Sequence, residues 1–483
     1  MPLSAQPQQT GDPAPRADYL RSATPTNAVI YPHLIRAAVA TGALATSGLG
    51  QHAILISADP SGLSGNGNSG IGDATSPNAV PVRGLCVTSD GRFVAFYSEA
   101  SNLIAGSPFG QIFVRDVVTG SLTLGSTNSA GQPGALASLL PEISRRGRFL
   151  AFTSAASNLV ANDTNGATQG WDVFVKDFQT GVTERVSVSS SGSEAHGNSG
   201  WKSGTLSAYV RPAGLAMSAD GRFVAFSSDA ADLVPNDTNL RTDVFLHDRR
   251  TGTTTLVSVQ DPLVPATSGS LTGAQSPRVS NDGRFVGFSS NSRDLVPNDA
   301  NFTWDAFVRD CTSGTTLRVS VDSQGVEADD WSQLDAISAD GRFALFTSAA
   351  TNLVAGQLPG MHVFLHDLVT GQTTLECVDS LGQPTPGGCG GADLSPDGRF
   401  VLFVSSASTL VPGDTNGVSD LFVRDRLLGT IRRANVAAGG VQSDAGCGLA
   451  RLARGGRAAV FATSATTLSP LDVNNLVDVY LGY

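Results

Sequence analysis

The sequence predicts an all-β fold, a seven-bladed β-propeller with four antiparallel strands per blade and a ring closed by an N-terminal outer strand. Three observations carry this expectation. One glycine-centred motif recurs seven times, each copy heads a succession of β-strand signals, and the last unit lacks a strand that the start of the chain can supply.

The motif reads SDGRFVAF from Ser89, SRRGRFLAF from Ser144, SADGRFVAF from Ser218, SNDGRFVGF from Ser280, SADGRFALF from Ser338, SPDGRFVLF from Ser395 and ARGGRAAVF from Ala453. Its glycines stand at 91, 147, 221, 283, 341, 398 and 456. A period of several tens of residues is the mark of a propeller or solenoid.

Strand A is the short segment ending at Ser-x-Asp, and the following Asp-Gly favours a tight hairpin because Gly accepts positive φ. Strand B is the RFVAF run, whose near-continuous apolar character fits a strand buried on both faces. Strand C is the DVFVRD-like run, as at Val173 to Asp177 or Val363 to Asp367. A D-x-x-T-G-like turn leads to strand D, such as ERVSV or TTLVSV. Four strands in about 60 residues make a propeller blade. The seventh unit ends at DVYLGY, its strand C, so Ala53 to Ser57 is expected to complete that blade from the other end of the chain. Residues 1–50 are then an N-terminal extension, partly disordered, and residues 51–483 the propeller.

These motifs resemble the TolB-type, WD-like propeller repeat, S-P-D-G-[KR]-x-[IV]-A-[FY], most closely at SPDGRFVLF from Ser395. The resemblance covers about residues 51 to 483. It implies the fold, and it implies the company of envelope-associated binding proteins and of non-catalytic parts of peptidases. Such propellers support many functions.

A net charge of −11 argues against a nucleic-acid partner, which needs a basic face. Of 42 acidic residues only Glu99, Glu142, Glu184, Glu194, Glu327 and Glu376 are Glu, so the negative charge is Asp, a residue of turns, caps and cation sites. The five cysteines contain no CxxC and no Cys/His cluster with zinc spacing, although Cys377 and Cys389 bracket one loop and are a candidate disulfide. The start of the chain is Pro- and Gln-rich without the apolar core of a signal peptide, and the stretch Leu34 to Leu49 is too short and too interrupted to span a membrane.

Propeller topology gathers the A–B and C–D turns on one face and the longer B–C and D–A loops on the other, so function is expected on the latter. Five B–C loops carry Asp-x-Asn-x-x-x-Asp or a stretched version: Asp163, Asn165, Asp172; Asp237, Asn239, Asp243; Asp299, Asn301, Asp305; Asp414, Asn416, Asp420; and Asp472, Asn474, Asp478. Closely spaced oxygens suit Ca²⁺, the candidate cofactor. The competing reading is that these side chains cap backbone N–H groups in Asx-turns.

All four tryptophans map to the same face, Trp171 and Trp304 in B–C loops and Trp201 and Trp331 in D–A loops, joined by His196, Tyr209 and Arg211. Aromatics with polar neighbours are typical anchors for a protein or carbohydrate partner. The histidines are scattered and no nucleophile elbow or phosphate loop is present. The leading expectation is therefore a monomeric, non-enzymatic binding or scaffold propeller, periplasmic or extracellular, engaging a partner through the B–C/D–A face. The alternatives are a polysaccharide lyase or hydrolase with its site at the channel mouth, and a self-assembling surface protein.

Overall fold

A computed structural model of the chain describes residues 52–72, 82–165, 170–200, 214–235, 237, 239, 241–264 and 273–483. Among them seven four-stranded antiparallel sheets are formed, with a two-stranded ribbon, Ile71–Gly72 with Val82–Arg83, between the seventh and the first. Blade five is representative, with strand A at Ser332–Ile337, B at Phe343–Ser348, C at His362–Asp367 and D at Gln372–Leu375. The N-terminal extension expected over residues 1–50 lies outside the described residues.

Ring closure is as the sequence predicts. Blade seven takes strands A to C from Cys447–Ala453, Ala458–Thr463 and Asp478–Gly482, and its outer strand is Ala53–Leu55, with Ala53 opposite Gly482 and Leu55 opposite Tyr480.

The repeated motif explains the core. In strand B all but the first residue of Phe93–Ser98, Phe149–Ser154, Phe223–Ser228, Phe285–Ser290 and Phe343–Ser348 are buried, because each sheet is covered on both faces. Every blade stacks a ring on strand B against one on strand C, from Phe96 and Phe113 in blade one to Phe461 and Tyr480 in blade seven. The motif glycine sits at positive φ, and a Cβ on Gly341 would lie 2.1 Å from the Phe285 ring of the preceding blade. Turn geometry and inter-blade packing thus both demand glycine. In six blades the motif arginine lies over its neighbouring phenylalanine and pairs with the aspartate ending strand C, as Arg342 does with Phe343 and Asp367 at 2.7 Å.

On the B–C/D–A face a second device repeats around the ring. The residue before strand C accepts a backbone hydrogen bond from the next blade: Gly110 from Ser138, Trp171 from Ser199, Thr242 from Ala274, Trp304 from Ser332, Met361 from Cys389, Ser419 from Cys447 and Val477 from Ser69. Two expected tryptophan anchors therefore occupy a structural position, whatever their side chains do.

Candidate functional site

The Asp/Asn loops form one hydrogen-bonded device. In each of the five, the asparagine Nδ2 donates to the aspartate that opens strand C: Asn165 to Asp172, Asn239 to Asp243, Asn301 to Asp305, Asn416 to Asp420 and Asn474 to Asp478, at 2.8–3.0 Å. The other oxygen of that aspartate accepts from the end of strand D, through Ser187, Ser258, Ser320, Asn435 or Ser57. The same serine or asparagine oxygen receives the backbone N–H of the residue after that aspartate, so the loop, strand C and strand D are locked together.

The first aspartates of the loops are brought beside this pair, and in three blades an arginine from strand D meets them. Arg185 Nη1 lies 3.4 Å from Asp172, 3.8 Å from Asp163 and 2.5 Å from Glu194. Arg318 reaches Glu327 at 2.5 Å and Asp299 at 3.9 Å, and Arg433 reaches Asp420 at 2.9 Å and Asp414 at 3.2 Å. A guanidinium therefore supplies positive charge at the oxygens on which the cation expectation rested. Strand D carries Leu256 and Leu55 at the matching positions of blades three and seven. In blade seven the Tyr480 hydroxyl donates to Asp472 at 2.6 Å, whereas in blade three Asp237 Oδ1 is buried without a hydrogen-bond partner.

Burial raises the carboxyl pKa values here. Asp172, Asp243 and Asp299 are pushed up to about 6, and Asp305 and Asp478 to about 7. In each case loss of hydration outweighs the hydrogen bonds and cations that favour the charged form.

The expected partner-binding residues divide. Trp201, Tyr209 and Arg211 lie outside the described residues. Trp171, Trp304 and Trp331 are half-buried rather than exposed, and Trp171 packs against the core of blades one to three. His196 is exposed and hydrogen-bonded to Asp232 of the next blade, and that hydrogen bond, with the charge of Asp232, raises its pKa. His247 and His366 are buried and bonded through Nδ1 to Thr254 and Thr373 at 2.9 Å. A buried threonine hydroxyl is available to each ring because strands C and D pair in this register.

Trp331 lines a cavity. The cavity has a volume of about 660 Å³ and opens between blades five, six and seven on the B–C/D–A face. Its walls are mainly small residues, among them Gly388, Gly390, Gly448 and Ser405, with Met361 and Cys389 on one side and Asp335 at depth.

The channel itself carries charge that the sequence reading missed. In strand A a register shift, a β-bulge, occurs in five blades, at Ser138–Ile143, Ala274–Val279, Ser332–Ile337, Gly390–Leu394 and Cys447–Ala453. Bulges re-aim side chains. Next to them stand Glu142, Arg278, Asp335, Asp393 and Arg451, late in their strands and thus toward the A–B turns. Arg451 lies 3.8 Å from Glu142, yet burial and the charge of Asp393 push the Glu142 carboxyl to about 7. Burial and the charge of Arg451 bring Arg278 down to about 9. These residues stand on five different blades, far apart in the chain, and a repeat-by-repeat comparison of strand A is the signal that finds them.

No protein-family model matches the chain, and no curated protein matches it. Similar solved structures include the β-propeller domain of the Trilobed protease from Pyrococcus furiosus, 13% identical over 82% of this chain and 94% of that one, with a TM-score of 0.48. An oligogalacturonate lyase from Vibrio parahaemolyticus is 12% identical over 86% of this chain and 96% of that one, TM-score 0.47. A putative TolB from Agrobacterium tumefaciens is 16% identical over 65% and 86%, TM-score 0.34. At such identities the likeness says nothing of activity.

Proposed function

We propose that this chain is a non-enzymatic binding propeller that takes a segment of a protein or glycan partner into the cavity between blades five, six and seven. The observation that carries the reading is the cavity wall. Glycines expose backbone N–H and C=O groups there, and Trp331 adds an aromatic surface, a combination suited to amide- or hydroxyl-bearing chains. A Gly448→Trp variant tests it, since Gly448 has open space around its Cβ position and an indole there fills the cavity without distorting the strand. On peptide and glycan arrays the variant is expected to lose the ligands that the natural protein retains; identical binding profiles overturn the reading.

The disulfide between Cys377 and Cys389 supports a periplasmic or extracellular location, where such bonds persist. Among the described residues no helix is long and apolar enough to cross a membrane. Calcium is proposed for blade three alone, where among the described residues Asp237 and Asp243 meet no arginine and Asp237 keeps an unpartnered oxygen. A chelator should lower the melting temperature of the natural protein and leave that of Asp237→Asn unchanged; equal responses remove calcium from the account.

One observation favours a second reading, a lyase or hydrolase. A carboxyl near 7, as at Glu142, is suited to general acid–base chemistry at neutral pH. Turnover of a polysaccharide panel that disappears in Glu142→Gln would select it over pure binding.

A further inference from the structure

Blade five departs from its neighbours at two facing positions. In blades two, three, four and seven the pair at the start of strand C and the end of strand D is aspartate and serine, all oxygen donors. In blade five the same two places are His362 and Cys377, nitrogen and sulfur, and the loop that follows returns with Cys389. One ligand atom from each of the three lies within 4.8 Å of the others, and all three residues are at least nine-tenths buried.

The histidine is prepared as a ligand. Its Nε2 lies 2.9 Å from the Leu358 carbonyl oxygen, which can only accept, so Nε2 carries the proton and Nδ1 carries the lone pair. Nδ1 is buried with no hydrogen-bond partner. A metal-binding histidine commonly has this arrangement, one nitrogen fixed by a backbone carbonyl and the other free to coordinate. Burial also lowers the ring's pKa, which keeps it neutral. The Val363 N–H donates to Cys377 Sγ at 3.2 Å and fixes that sulfur in turn. Access runs through the cavity, which Cys389 and the thioether-bearing Met361 both line.

In the structure the two cysteines form a disulfide. We propose that on reduction Cys377, Cys389 and His362 become a binding site for one thiophilic d¹⁰ cation, Zn²⁺ or Cu⁺. Reduction consumes two electrons and two protons from a thiol reductant, which leaves as its own disulfide. Metal binding then releases the two cysteine protons to solvent while His362 donates its Nδ1 lone pair. With Zn²⁺ the two thiolates give a neutral, buried complex with a fourth position open toward the cavity; with Cu⁺ the three ligands are a complete set. The disulfide and the metal are mutually exclusive, so the site reads the redox state of its surroundings, whatever the cavity itself binds.

The test uses the full chain, reduced with a phosphine without oxygen, desalted, and titrated separately with Zn²⁺, with Co²⁺ as its spectroscopic surrogate, and with Cu⁺. The control is H362D/C377S, which installs the aspartate–serine pair that four sibling blades already fold with. Cys389→Ala is a second control that leaves both strand positions intact. The reduced natural protein is expected to bind one equivalent more of Zn²⁺ or Cu⁺ than either control, with a thiolate-to-Co²⁺ charge-transfer band. The disulfide form is expected to lose that equivalent. Equal binding of both ions by the reduced natural protein and the controls overturns the proposal.

Discussion

Ser57 Oγ donates to Asp478 Oδ1 at 2.5 Å, joining residues 421 positions apart, and both side chains are fully buried. The contact seals the ring, because Ser57 follows the outer strand and Asp478 opens strand C of the same blade. Ser57→Ala leaves a buried carboxyl oxygen and the Val479 N–H without this partner, at a cost of about 1–3 kcal/mol. Urea unfolding should show that loss. Deleting residues 52–58 should lower the melting temperature far more, since a whole strand goes; an unchanged transition would refute closure as a source of stability.

Gly341 and Gly120 separate two consequences of one backbone conformation. Both have φ near +75°, but only Gly341 faces the ring of the preceding blade, while a Cβ on Gly120 meets nothing within 4 Å. Gly120→Ala should cost about 1–2 kcal/mol for the left-handed backbone alone. Gly341→Ala should cost about 1–3 kcal/mol more for overpacking. Two variants of equal stability would mean that the glycine–phenylalanine seam between blades yields without strain.

The propeller was legible because seven glycines, seven apolar runs and a missing strand are all local features with a period. The seam at Gly341 was half-legible, as a turn but not as a contact, since the partner ring of Phe285 belongs to the neighbouring unit. Arg185, Arg318 and Arg433 were overlooked because their loop partners are spread over some 20 residues, and only pairing of strands C and D makes them neighbours. His362 escaped for the opposite reason. Its spacing to Cys377 and Cys389 matches no zinc motif, and the signal lies in aligning blades, where His–Cys replaces Asp–Ser.

Acid should first stabilise this protein and then destabilise it. Asp172 and Asp243 near 6, and Asp305 and Asp478 near 7, titrate above the ordinary aspartate value of 3.8. The unfolded chain gives up these protons first, so their stabilising contribution is full below about pH 4 and is lost as pH rises through 6 to 7. Asp177, Asp310 and Asp367 are held well below 3.8 by Arg148, Arg284 and Arg342, and their contribution is lost as pH falls below that value. The melting temperature is therefore expected to peak near pH 4–5. A steady rise from pH 5 to 8 would contradict the burial of these carboxyls.

Arg433 offers the sharpest test of what the Asp/Asn loops require. Its guanidinium is 3.2 Å or less from Asp414, Asp420 and the Gln442 side chain, and the two aspartate side chains are 5% and 0% exposed. Arg433→Met keeps the aliphatic volume and leaves both carboxyls without a countercharge, which at neutral pH should cost about 3–5 kcal/mol. Burial already raises Asp414, and its proton uptake should shrink the deficit as pH falls toward 4. If the arginine holds the place of a cation, millimolar calcium should recover part of the lost stability in Arg433→Met while leaving an Arg433→Met, Asp414→Asn double variant unmoved. Recovery in neither would show that the oxygens of Asp414 and Asp420 are arranged for a planar guanidinium and not for a spherical ion.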